Sequence, residues 1–265
     1  MIHVSVVHLM FAIFTAFLIA PTLIAQETPG KVIRYEVTAS WLGLTPSGNV
    51  LTNSNSVDFV SDLGIDRRQS QVGFSFFMQP WNRGGMFVEV IPYRFSGENT
   101  VSRSFRFGGV TYPVNESLSA KATLNYVSFG YEHGIVSRRR LSVGLQAGAA
   151  YIGVRARATS PSIGSADVNR DVPFPLVGFV ARYSPVATKP QFSIRGAIRG
   201  MTFGSYGRYI DGSGGLGFNL TWHLMLEAGY RVVDGEGHHK TRGADLNFRG
   251  PTVTLRVHDS SSQRR

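Results

Sequence analysis

The sequence predicts an all-β chain closed into an antiparallel up-and-down barrel of about ten strands. Three observations predict it. Apolar and polar residues alternate with period two in ten blocks of about ten residues. The connections between blocks alternate between brief and long. The residues opposite the apolar ones are mostly small (Gly, Ser, Thr, Gln), with isolated Arg and Glu.

Composition bounds the answer. The 265 residues carry 27 Lys+Arg against 17 Asp+Glu, a net charge of +10. Cysteine is absent, which excludes disulfide frameworks, zinc–thiolate sites and thiol catalysis. With 30 Gly, 18 Phe and 10 Tyr, but four Lys and eight Glu, long helices are disfavoured and strands favoured. The basic charge is almost all Arg and is dispersed singly, apart from Arg138–Arg139–Arg140 and Arg264–Arg265. That pattern argues against a nucleic-acid partner.

Residues 4–25 (VSVVHLMFAIFTAFLIAPTLIA) are uncharged and mostly apolar, and Gln26-Glu27-Thr28-Pro29-Gly30 breaks the run. The reading is a signal peptide over 1–25, cleaved after Ala25, with an uncleaved membrane anchor as the rival. The barrel is then expected over 26–258 and a polar C-terminal tail over 259–265. No later segment has 18 consecutive apolar residues.

The blocks follow in order. In the first, Ile33, Tyr35, Val37, Ala39 and Trp41 oppose Arg34, Glu36, Thr38 and Ser40. Val72, Phe74, Phe76 and Met78 make the second, and Trp81–Gly85 a tight turn. The third sets Met86, Val88 and Val90 outward against Glu89. In the fourth, between Thr111 and Tyr131, Leu124 and Tyr126 are assigned outward, which turns Val127 and Phe129 inward. The fifth is Leu141, Val143, Leu145, Ala147, Ala149 and Tyr151; the sixth Val177, Phe179, Ala181 and Tyr183; the seventh Phe192, Ile194 and Ile198. Leu216, Phe218 and Leu220 make the eighth, Leu224 through Val232 the ninth, and Val253, Leu255 and Val257 the tenth. Long connections are expected at 45–69, near 97–112, at 159–172 and at 234–247, with a shorter one at 203–208. Brief ones are expected at 81–85, 133–140, 184–190 and 221–223.

A soluble sandwich also alternates, but its polar face tolerates long Lys and Glu side chains. Small residues opposite the apolar set suit a narrow interior, and lipid cannot satisfy a free sheet edge, so a spanning sheet must close. Trp81, Tyr183 and Trp222 near brief turns, and Trp41, Tyr151 and Tyr230 toward the opposite strand ends, fit two membrane-interface girdles. The alternative is a secreted soluble β-barrel binding a hydrophobic ligand, with the apolar set facing inward.

Several stretches carry the likeness to known chains: Asp58-Phe59 with Asp62-Leu63-Gly64, Pro173-Phe174-Pro175-Leu176-Val177-Gly178, Glu227-Ala228-Gly229-Tyr230-Arg231 and Arg249-Gly250-Pro251-Thr252-Val253-Thr254-Leu255. On these the chain resembles the small bacterial outer-membrane β-barrel proteins. The resemblance implies residence in the bacterial outer membrane, contact with its lipid and with the barrel-assembly machinery, and no cofactor. Such chains usually end on an aromatic residue; this one ends on His258 followed by Asp259-Ser260-Ser261-Ser262-Gln263-Arg264-Arg265.

Parity turns Arg34, Glu36, Glu89, Arg182, Arg195, Arg199, Glu227, Arg231 and Arg256 into the lumen. Enclosed charge is costly unless paired, so these residues are expected to form a salt-bridge network that fills the barrel. An Arg-lined, porin-like constriction admitting small anions is the functional variant. Asp234-Gly235-Glu236-Gly237-His238-His239 lacks fixed metal-ligand spacing, and Asp58, Asp62 and Asp66 lack that of a calcium loop, so no metal is expected. No Ser, His and acid set converges at the outer rim, so the chain is expected not to be an enzyme, an outer-membrane lipid-modifying activity included. Asn115-Glu116-Ser117 matches a glycan sequon by chance, and Arg138–Arg140 is read as a turn that either pairs with anionic headgroups or is simply solvated.

Overall fold

The computed structural model describes residues 34–259 except 53–54, 66–67, 82, 139, 186–190, 203, 205–206 and 240–241. The expected signal peptide and most of the polar tail lie outside the described residues. Ten strands close into an antiparallel barrel: β1 (Arg34–Thr52), β3 (Gln69–Gln79), β4 (Gly84–Thr100), β7 (Ser117–Ser137), β8 (Leu141–Ser160), β9 (Gly164–Tyr183), β10 (Phe192–Thr202), β11 (Gly207–Asn219), β12 (Leu224–His239) and β13 (Arg242–His258). Each pairs with its neighbour along the chain, and β13 returns to β1 in a register running from Glu36 opposite His258 to Leu51 opposite Gly243. Three short strands lie in the connections: β2 (Asn55–Asp58) pairs with β1, and β5 (Phe105–Phe107) with β6 (Val110–Tyr112).

The end bearing Arg34 and His258 has the short turns, as expected. At the other end the expected connections at 45–69, 159–172 and 234–247 are largely strand. β1 runs to Thr52, the β8–β9 hairpin turns only at 161–163, and β12 and β13 stay paired as far as His239 opposite Arg242. These segments lack the apolar beat because their outer face no longer meets lipid, while their ladder hydrogen bonds continue unchanged.

The strands carry two opposite polarities at constant parity. On the lower half of β4, Met86, Val88 and Val90 point out and Phe87 and Glu89 point in; on the upper half Arg94, Ser96 and Glu98 point out and Ile91, Tyr93 and Phe95 point in. Strand β7 reverses in the same way. Val127, Phe129 and Tyr131 face out below, while Leu118, Ala120, Ala122, Leu124 and Tyr126 are buried above. The fourth block is therefore corrected: Leu124 and Tyr126 point inward, and Val127 and Phe129 outward. Its apolar residues straddle the reversal, so no single parity could place them all outside. Water replaces hydrocarbon around the upper wall, so apolar side chains there gain only by turning in.

Below the reversal the outer wall is a continuous apolar belt, with Leu216 66 %, Phe129 59 % and Ile198 56 % exposed. The apolar set thus faces away from the lumen, the opposite of what a soluble carrier of hydrophobic ligands needs. Phe179 sits mid-belt between Leu145 on β8 and Ile198 on β10. Phe179→Arg is expected to cost about 2–4 kcal/mol in urea unfolding from lipid vesicles, the usual penalty for a cation near the bilayer midplane. A loss below about 1 kcal/mol would remove the belt from hydrocarbon.

The upper lumen is a packed core. The Phe248 ring lies 5.5 Å from Tyr93 and 5.1 Å from Phe95, and Phe174 lies 4.9 Å from Tyr209. Over it, Phe59, Leu63 and Ile65 from the β2 connection and Phe105, Phe107 and Tyr112 from the β5–β6 hairpin are buried as a lid. Polar ties hold the lid. Arg103 Nη2 donates to Asp62 Oδ2 at 2.5 Å, which raises the Arg103 pKa further, and Tyr112 Oη donates to the Ala158 carbonyl at 3.0 Å. The Ser160 hydroxyl donates to Glu116, as does that of Ser162 at 2.6 Å, and together they hold the Glu116 carboxyl below its ordinary range. Gly64 has φ +67°, and a Cβ there would stand 2.4 Å from the Glu98 carbonyl oxygen, so both backbone and space require glycine.

Candidate functional site

The lower lumen is lined by the inward positions of nearly every wall strand. Two linked groups of charges occupy it. In the group nearer the short-turn end, Arg195 reaches Glu36 at 3.3 Å and Glu227 at 3.8 Å. Arg256 pairs with Glu36 and, at 3.2 Å, with Glu227. Arg182 Nη1 donates to Glu132 Oε1 at 2.9 Å and its guanidinium stands 5.6 Å from the Phe77 ring centre; Gln146 Nε2 donates to the other Glu132 oxygen at 2.9 Å.

The second group is a quartet. Arg231 grips Asp211 through Nε at 2.9 Å and Nη2 at 2.6 Å, and Glu89 through Nη1 at 2.8 Å. Arg199 Nη2 bridges the same two acids, at 2.5 Å to Glu89 and 3.0 Å to Asp211. Every carboxylate here is met by at least one guanidinium, the condition under which enclosed charge is tolerable. A cavity of about 160 Å³ remains between the groups, bounded by Glu36, Glu89, Glu132, Arg182, Arg195 and Arg256 among others.

Above the quartet lie Tyr93, Tyr126 and Tyr209, whose buried hydroxyls have no hydrogen-bond partner among the described residues. With Leu124, Ile152, Val233, Leu246 and Phe248 they surround a cavity of only about 30 Å³. The lumen thus passes from paired charge to aromatic rings to the lid.

Of the nine residues turned inward by parity, Glu36, Glu89, Arg182, Arg195, Arg199, Glu227, Arg231 and Arg256 come together in this way. Arg34, at the start of β1, pairs in register with Gln79 and makes no ion pair among the described residues. Two members escaped the sequence reading. Glu132 lies one residue beyond the fourth block, between it and the expected turn, and has no assigned face; the run Val127, Phe129, Tyr131 places it inward. Asp211 lies in Asp211-Gly212-Ser213-Gly214-Gly215, which has no apolar beat to reveal its strand. With them the ion-paired lumen holds five Arg and five carboxylates, so the Arg excess behind an anion preference is absent from it.

Trp41, Tyr151 and Tyr230 stand exposed on the outer wall near the reversal, and Trp81, Tyr183 and Trp222 are exposed at the short-turn end. Asp234 and Glu236 face outward and both pair with Arg208, at 3.3 and 3.4 Å; the side chains of His238 and His239 lie outside the described residues. Among the described residues no group of His, Asp and Glu is arranged to hold a metal ion. Asp58 caps its turn by accepting from Val60 N at 2.9 Å and Ser61 N at 2.7 Å, while Asp66 and Ser260 lie outside the described residues.

No protein-family model matches the sequence, and no curated protein matches it. The chain is similar in structure to the outer membrane protease OmpT of Escherichia coli, with a TM-score of 0.52 over 88 % of this chain and 99 % of that one, at 11 % identity. The fold is that of a bacterial outer-membrane β-barrel. The translocator domain of the autotransporter NalP from Neisseria meningitidis also matches, at TM-score 0.42 and 8 % identity, covering 93 % of this chain and 95 % of that one. Neisserial surface protein A matches at TM-score 0.33 and 11 % identity, over 84 % and 96 %. At 11 % identity the likeness to OmpT is one of fold alone.

Proposed function

We propose that this outer-membrane barrel has a structural role. It is a sealed, non-catalytic wall that presents an extracellular surface and conducts no solute. The observation that carries the reading is the filled lumen: paired Arg and carboxylate groups below, and Tyr93, Tyr126, Tyr209, Phe174 and Phe248 packed above them. An ion entering from the short-turn end would have to break the quartet and then cross a largely aromatic layer in which the hydroxyls of Tyr93, Tyr126 and Tyr209 are too few to replace its water shell. The reading implies outer-membrane lipid as the surrounding partner and the barrel-assembly machinery for insertion, with no cofactor.

Purified protein in planar lipid bilayers is expected to show no discrete conductance steps. Stable, ion-selective openings would overturn the sealed-lumen reading.

A further inference from the structure

Above the reversal the outer wall is unevenly charged. On β4, β7 and β8 the exposed outward positions include Arg94, Lys121, Arg155 and Arg157. The register gathers them: Arg94 and Arg155 flank Thr123 on either side, and Lys121 stands opposite Arg157. Arg157 donates to Asp167 at 2.6 Å, whereas Arg94, Lys121 and Arg155 make no ion pair among the described residues. The nearby acids Asp171 and Glu98 form no ion pair with any of these three among the described residues. Asp171 accepts the Tyr151 hydroxyl at 2.7 Å, and Glu98 stands further up β4. On the opposite wall Arg208 is tied to Asp234 and Glu236, and Asp245 faces Glu236 across the ladder, so that side is acid-rich.

The height of the cluster decides what it meets. The last apolar row beneath it is Val90, Val127 and Tyr151, which share one register. Arg94 and Arg155 each lie four residues beyond it. At about 3.4 Å per residue and a tilt of about 40°, their backbones stand roughly 10 Å above the belt, at the headgroup level. Long Arg and Lys side chains can bend back toward that layer. Three unpaired cations a strand or two apart repel one another unless an anion sits among them.

We propose that this face binds the phosphorylated headgroups of outer-leaflet glycolipid, with Arg94, Lys121 and Arg155 as the phosphate contacts. The inference rests on the membrane-barrel reading and adds a fixed lipid position to it. The full chain, folded in non-ionic detergent, is titrated with bisphosphorylated lipid A, with the same lipid stripped of its phosphates, and with inorganic phosphate. The variant R94A/K121A/R155A is expected to bind the phosphorylated lipid roughly a hundredfold more weakly, at the usual worth of a cation beside an anionic lipid. Arg249→Ala, on the opposite wall, is expected to bind like the unaltered protein. The dephosphorylated lipid is expected to bind the unaltered protein and the triple variant alike. Equal binding of the phosphorylated lipid by the triple variant and the unaltered protein would overturn the proposal, as would inorganic phosphate displacing the lipid. Heat-modifiable gel migration reports folding, and R94Q/R155Q replaces the triple variant if that one does not fold. An unaltered chain lacking heat-modifiable migration in every detergent would instead sink the barrel reading itself.

Discussion

Asp211→Ala is expected to destabilise the barrel by about 3–5 kcal/mol, the cost of breaking a buried ion pair and stranding its partner. The Asp211 side chain is 1 % exposed and receives three guanidinium contacts, two from Arg231 and one from Arg199. Without it, both arginines must share Glu89, leaving one net positive charge enclosed beneath an aromatic layer that offers neutral tyrosine hydroxyls but no second carboxylate. Asp211→Asn keeps an acceptor but not the charge, and is expected to cost less. The double variant D211A/R231M, which removes the stranded charge as well, is expected to recover part of the loss. Urea unfolding in lipid vesicles measures all three. An Asp211→Ala variant within about 1 kcal/mol of the unaltered protein would mean that water, not protein, solvates the quartet.

Phe248→Ala is expected to cost about 3–5 kcal/mol as well, for a different reason. The ring is buried between Tyr93 and Phe95 and borders the small upper cavity. The strand backbones around it are fixed by ladder hydrogen bonds on both sides, so the site cannot collapse and the cavity stays open. Far-ultraviolet circular dichroism during thermal or urea unfolding reads the loss. Bilayer conductance is expected to stay silent in this variant, because the quartet beneath is untouched. A stable variant would show that the upper core is loosely packed.

Much of the lower storey was legible from the chain alone, because hydrocarbon outside and a narrow lumen inside impose one rule on every strand. Val72, Phe74, Leu145, Phe179 and Leu216 obey it, and Glu36, Glu89 and Arg231 fall into the lumen as its complement. The upper storey was not legible in the same way. Its inward Leu124 and Tyr126 look like lipid-facing residues to a reader who assumes one solvent along the whole strand. Glu132, a partner of Arg182, lies just past that block, where the misassigned parity gave no guide to its face. Asp211 was hidden for another reason: glycines give a strand no face. The lid could not be read either, since Phe59, Leu63, Phe105 and Tyr112 become core only when two distant connections fold over the barrel mouth.

The mid-strand reversal in β4 and β7 also fixes how deep the molecule rides. Pushed inward by one pair of residues, the wall would carry Pro92 and Asn125 into oil and bring Arg94 to its edge; drawn outward by the same step, it would bare Val90 and Val127 to water. Both displacements are uphill, so these strands mark a waterline on the hull, and the barrel floats at a level set by its own sequence.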